Sequence, residues 1–300
     1  MTTNDGYCYR HVLQSDAAEY SIASYMAAHF SHSSESQWSE RLRDGQIVLN
    51  DQIASGSERL HAGQVLLWNR PAWHECSTPQ QYSIIYSDKH ILAVDKPSGL
   101  PTIPGGGYFA NTLLNLVRLS FPEARPVHRL GRATSGIVLF ALSPMVASDL
   151  SKNWQQVHKV YQALADGIAL HNDYDVRSPI GTCDHPRLGK VFASNPNGKQ
   201  SRSVARVLER REASTVFEVD LHTGRPHQIR IHLAFIGHPL VGDPLYDVGG
   251  IPKNENPGLP GDGGYHLHAK RLVLLHPMTG LVLELIAPVP AVLQKSGRLI

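Results

Sequence analysis

Apolar residues recur at helical spacing from Ala17 to Phe30, with Ile22, Tyr25, Met26 and Phe30 on one side. Ser34 then reads as the cap of a second helix, Glu35 to Asp44, with Gln37 at the reciprocal capping-box position and Gly45 as the stop. Short alternating runs follow at Gln46–Leu49, Gln52–Ala54 and Val65–Trp68, joined by turn residues. The residues before Asp16 read as irregular. Pro71–Pro79 is a composition break that predicts a linker. Beyond it, strands are predicted at Ile84–Tyr86, Ile91–Val94, Ile137–Ala141, Lys159–Ala165, Val204–Leu208, Val216–Leu221, Leu267–Leu275 and Leu281–Ala287. Helices are predicted over Asn111–Leu119, Ser143–Trp154 and His227–Phe235. Arg187–Asn197 reads as a basic loop, and Asp247–Gly264 as a Gly- and Pro-rich one. Most strands are not separated by helices. The expected class is therefore α+β, built on a mixed, mainly antiparallel sheet rather than a doubly wound one.

Three hundred residues accommodate a small domain followed by a larger one. The predicted division is 1–75, a linker at 76–81, and 82–300. A hydrophobic share of 42% and a charged share of 18% describe an ordered globular chain. The formal charge of +2 is too balanced to indicate a nucleic-acid partner by itself, so local clustering has to carry that argument. Cys8, Cys76 and Cys183 are scattered and form no CxxC pair, which speaks against a disulfide framework or a zinc ribbon. The opening MTTNDGYCYRHVLQ has no basic start leading into an apolar run. A cytoplasmic, monomeric protein with no membrane contact is expected.

The chemistry concentrates in Pro126–Ala141, PVHRLGRATSGIVLFA, a basic glycine-bearing loop delivered by an apolar strand. The Gly run near Lys96 lacks a GKS or GKT ending, so no nucleotide loop is expected. His266 and His268 have no third ligand at a recognisable spacing, and no metal is predicted. Neither GxSxG nor HExxH occurs, which sets hydrolase chemistry aside.

Several stretches together resemble the RluA-type pseudouridine synthases. They are Lys96-Pro97 with Gly99, HRLGRATSG at 128–136, KVYQA at 159–163 and TGRPHQIRIHLAFIGHPLVGDPLY at 223–246. LHA at 267–269 and HPMTG at 276–280 complete the set. Upstream, WSERLRDGQIVLNDQIASGSERLHAGQVLLW resembles the small alpha-L RNA-binding domain of ribosomal proteins, with Arg41 and Arg43 as its basic helix positions. The resemblance implies conversion of uridine to pseudouridine within rRNA or tRNA, with no cofactor. The target base is flipped from its stack at a cost of roughly a few kcal/mol. Arg129 would fill the gap it leaves, and His128 and Arg132 would contact the backbone. Tyr161 would be the platform under the flipped base, and Arg230 would aim and ionise a catalytic aspartate. Lys96 is read as part of the site wall or RNA surface. Asp243 and Tyr246 are read as structural.

The family's loop reads HRLD, and Gly131 stands where that aspartate belongs. Loss of the key group of a covalent catalyst costs about 10⁴ or more in rate. Two readings follow. In one the protein is an RNA pseudouridine synthase with a substitute group, for which Asp95, Asp220 and Glu123 are the nearest carboxylates to consider. In the other it is a catalytically silent RNA-binding protein that keeps the pocket.

Overall fold

The computed structural model describes residues 2–30 and 32–296, and divides the chain into two compact units, Met1–Ser77 and Thr78–Ile300.

In the first unit, Ser34 caps the helix Glu35–Arg43 through a reciprocal box with Gln37. Gly45 ends it at a φ of +70°. The helix expected from Ala17 is shorter: Tyr20 is extended, and Ser21 caps a helix over Ile22–His29. Asn50 and Asp51 both take positive φ and turn Ile47–Leu49 onto Gln52–Ile53. The residues read as irregular are in part strands. Tyr7–Val12 pairs with Val65–Arg70, and Thr2–Thr3 pairs with His74–Glu75 inside the expected linker. The backbone groups of these polar segments are satisfied in ladders, a long-range pairing that local composition does not report.

The second unit is organised by a ten-stranded sheet. From one edge its main path runs Asp173–Val176, Ser203–Arg210, Ser214–Leu221, His158–Asp166, Leu267–Leu275, Ser135–Ala141, Ile91–Lys96 and Ser83–Ser87. Val282–Ile286 and Arg125–Pro126 add to the strands Leu267–Leu275 and Ser135–Ala141. This is the mixed, mainly antiparallel sheet that the strand pattern predicts. One neighbouring pair among the described strands is parallel: Ser135 and Gly136 beside His268 and Ala269. The segment expected as a basic loop near Arg187 instead contains Gly189–Ser194, paired with Ile180–His185 in a separate hairpin.

The strand Ser135–Ala141 is buried along its whole length. One face of the sheet carries Leu92, Val94, Val138, Phe140, Tyr161, Phe217 and Ala269 beneath Leu113, Val117, Ile229 and Leu233. The other face carries Ile91, Ile137, Leu139 and Leu272 against Val146 and Leu150. A strand covered on both sides loses its polar alternation, and this accounts for the unbroken run Ile137–Ala141.

Gly136 is where the basic loop enters the sheet. Its φ is +105°, and a Cβ there would stand 2.3 Å from the carbonyl oxygen of Ala269. Gly136→Ala would meet both backbone strain and a clash with main-chain atoms that cannot swing aside. A loss of at least about 3 kcal/mol is expected, read as an earlier urea-unfolding midpoint.

Candidate functional site

A single row across the sheet assembles the region. Lys96 lies opposite Gly136, Gly136 opposite Ala269, Ala269 opposite Tyr161, and Tyr161 opposite Val219. Residues aligned in register across strands share a face, so Tyr161 sits two strands from the root of the basic loop. A register shift between Val160 and Tyr161 sets this alignment.

Lys96 is fully buried. Its ammonium donates to the carbonyls of Pro97 at 2.9 Å, Leu100 at 2.7 Å and Arg132 at 3.2 Å. Around it, Gly99 N–H donates to the Arg132 carbonyl and Ser98 Oγ to the Ala133 carbonyl. Thr102 Oγ1 donates to the Leu130 carbonyl and accepts from Leu130 N–H. Burial pulls the Lys96 pKa down to about 7, partly offset by Asp95. The RNA-surface role expected for Lys96 is therefore corrected: it holds the loop from inside. His128 is corrected likewise. Its Nε2 accepts from Leu139 N–H, its ring stacks on Trp154 at 4.4 Å, and burial pushes its pKa down to about 3. A neutral imidazole turned onto a tryptophan is not a phosphate contact.

The outward residues of the loop are Arg129, Gly131 and Arg132. Arg129 and Gly131 are exposed. Arg132 donates from Nε to the Gly261 carbonyl and lies 5.7 Å from the Tyr108 ring. Thr134 at the end of the loop meets the Tyr265 hydroxyl, and the Tyr265 ring lies against Arg230 of the helix Gln228–Phe235, so the loop stands beside that helix.

Arg230, on that helix, is 2% exposed. Its guanidinium makes a bidentate pair with Asp243, both bonds 2.7 Å, and donates to the Pro260 carbonyl at 3.1 Å. The rings of Tyr265 and Tyr246 flank it at 4.3 and 4.9 Å. Burial works against the charge, but the Asp243 bonds and the two phenols outweigh it and raise the Arg230 pKa. The other acceptor capacity of Asp243 goes to the N–H groups of Leu245 and Tyr246, which fixes the GDPLY turn. Tyr161 is 8% exposed, and burial alone raises its hydroxyl to about 12.

Sequence reasoning did not single out Tyr265. It is 4% exposed and belongs to the same apolar cluster as Leu130, Ala133 and Tyr161. Its hydroxyl lies 3.5 Å from Thr134 Oγ1. A Cβ added at Gly131 would lie 3.2 Å from that hydroxyl. The only signal in the chain is its position just ahead of Leu267-His268-Ala269.

Arg41 and Arg43 belong to the first unit. Arg41 lies between the rings of Trp38 and Trp68 at 4.2 and 4.4 Å and donates to Ser33 Oγ, so its planar faces are already covered. Arg43 is exposed. Among the described residues, no group of three or more His, Cys, Asp or Glu side chains is placed to hold a metal ion. No helix among the described residues is long and apolar enough to cross a membrane.

Two outcomes follow from this geometry. Lys96→Met keeps much of the side-chain volume but leaves three carbonyls without their shared donor; a stability loss of about 3 kcal/mol is expected by chemical denaturation. Burial also holds His128 and His227 down to about 3, and His232 and His268 down to about 4. The unfolded chain protonates these rings near pH 6.5, so it binds more protons than the folded one below that pH. Stability is therefore full above about 6.5 and falls as pH drops towards 4. Denaturation at stepped pH should give a slope steeper than the roughly 1.4 kcal/mol per pH unit of a single group.

Residues 90–235 match the RNA pseudouridylate synthase family. An uncharacterized RNA pseudouridine synthase of Synechocystis sp. is 38% identical over 89% of this chain and 93% of its own. Ribosomal large subunit pseudouridine synthase D of Xanthomonas campestris pv. campestris is 33% identical over 95% and 90%. The solved human RNA pseudouridylate synthase domain containing 1 superposes with a TM-score of 0.56 at 25% identity, covering 74% of this chain and 89% of that one. Near-complete coverage at these identities leaves one conclusion: the chain belongs to the RNA pseudouridine synthase family.

Proposed function

We propose that this protein isomerises uridine to pseudouridine within RNA. The glycosidic bond is broken, the uracil turns, and its C5 is joined to the sugar. The observation that carries this reading is that Tyr161 shares one apolar cluster with Leu130 and Ala133 of the loop and with Tyr265, whose ring lies 4.3 Å from the Arg230 guanidinium. A flipped base is bound by stacking, and Tyr161 is the large ring in that row. Arg129 is exposed on the loop, so it takes the gap left in the RNA and the adjoining phosphates. Arg132 adds a backbone contact. Arg230, its charge balanced by Asp243, fixes the wall behind that row.

The RNA is ribosomal or transfer RNA. The Xanthomonas relative is named for the large ribosomal subunit, which favours rRNA. Residues 1–75 act as an alpha-L-like RNA-binding domain, with Arg43 as its outward helix cation, joined through 76–81 to the catalytic domain at 82–300. The protein works as a cytoplasmic monomer.

Gly131 favours a second reading. It stands at the position of the family's aspartate in the HRLD loop and has no side chain with which to react. On that ground alone the protein would be an RNA-binding pseudoenzyme. Mapping pseudouridine in cellular RNA with and without the gene separates the two. The synthase reading expects one or a few uridines to lose modification and to regain it with the wild-type gene. An unchanged map, with RNA binding retained, would leave only the silent binder.

A further inference from the structure

Glycine at 131 is not demanded by its own backbone, because its φ lies outside the left-handed region. A neighbour explains it better. A Cβ at 131 would press on the Tyr265 hydroxyl at 3.2 Å and meet Thr134 Oγ1 at 3.6 Å. Gly131 is exposed while Tyr265 is buried, so the phenolic oxygen lies beneath a bare Cα. Any side chain at 131 would cover or displace it. A side chain at 131 would therefore begin in close contact with the Tyr265 hydroxyl, which would have to give by a few tenths of an ångström.

Asp243, and the carboxylates considered as substitutes, Asp220, Asp95 and Glu123, are engaged or face away. Asp243 spends its oxygens on Arg230 and two main-chain N–H groups. Asp220 accepts from His158 Nε2 at 2.7 Å and pairs with Val160, which faces away from Tyr161. Asp95 precedes Lys96 on its strand and so faces the opposite side of the row. Glu123 is an exposed partner of Arg125. Tyr265 differs from all four. Its hydroxyl lies under Gly131, and its ring lies 4.3 Å from the Arg230 guanidinium, whose charge Asp243 balances.

Resting on the synthase reading above, we propose that Tyr265 is a catalytic residue whose phenolic oxygen reacts in place of the side chain absent at 131. The oxygen bonds to uridine C1′ as the C1′–N1 bond breaks, and the phenolic proton passes to N1 of the departing uracil. The uracil turns. Its C5 then bonds to C1′ while the C1′–O bond breaks, and that electron pair returns to the phenolic oxygen. The C5 proton goes to the same oxygen, so the phenol is regenerated and no external reagent is consumed. Tyrosine acting as nucleophile at a sugar's anomeric carbon has a parallel in sialidases.

The test compares wild type, Tyr265→Phe and Gly131→Asp on RNA from cells lacking the gene, with pseudouridine counted by mass spectrometry under single-turnover conditions. Tyr265→Phe removes one oxygen. The expected result is a rate lower by about 10² to 10⁴, with RNA affinity and melting midpoint unchanged. Gly131→Asp keeps the phenol but crowds its oxygen, and should also slow the reaction. A Tyr265→Phe rate within about threefold of wild type, or a Gly131→Asp rate above it, overturns the role of Tyr265 and leaves the synthase reading standing. A wild-type protein that forms no pseudouridine overturns the synthase reading, and this inference with it.

Discussion

One buried ammonium holds the reactive region in shape. Lys96 ends a core strand, and its three carbonyl partners come from its own turn and from the basic loop. Placing a charge in the interior is costly unless its hydrogen-bonding capacity is used, and here all three donors are. The two segments that it joins lie far apart in sequence, with Pro97 and Leu100 on one side and Arg132 on the other. Once Lys96 is in place, Ser98, Gly99 and Thr102 can stitch the same two segments together along their length. The loop is thereby a rigid extension of the sheet. Its outward cations are displayed without having to order themselves when a polyanion arrives.

A second buried cation works differently. Arg230 is neutralised by Asp243 and enclosed by two tyrosine rings. Its geometry is planar and bidentate, which a lysine could not reproduce. Asp243 also anchors the turn that follows it, so the pair ties the helix Gln228–Phe235 to the polar loop beyond. The position of the guanidinium is thus set by structure on both sides. Arg129 is the contrasting case: exposed, and available to whatever docks there.

Much of the architecture was legible in the chain. The Ser34 and Gln37 cap, the Asn50-Asp51 turn and the all-apolar run Ile137–Ala141 are local signals, and each corresponds to an observed element. The failures have a common physical origin. Tyr7–Val12 and His74–Glu75 are strands because of partners more than 50 residues away, which no local pattern reports. Lys96 and His128 looked like outward cationic or polar groups because their type is usually exposed. Their direction is fixed by tertiary partners: carbonyls for one, Trp154 for the other. Tyr265 was invisible for the same reason. Nothing near it in sequence says that its hydroxyl ends under Gly131, and only the fold brings 131 and 265 together.

The two-residue parallel ladder between Ser135-Gly136 and His268-Ala269 has a consequence for how the protein is made. Apart from that contact, the strand Ser135–Ala141 pairs only with segments close to it in sequence. Its link to the rest of the sheet waits for residues synthesised more than a hundred positions later. Chains grow from the N-terminus, and distant pairings bear the largest closure entropy. A nascent chain can therefore finish its first unit and the hairpin around Ile91–Lys96 while the region of Tyr161, Arg230 and Tyr265 does not yet exist. An unfinished or C-terminally truncated chain would display the basic loop without a pocket behind it. Competence for chemistry would then be the last property the molecule acquires as it leaves the ribosome.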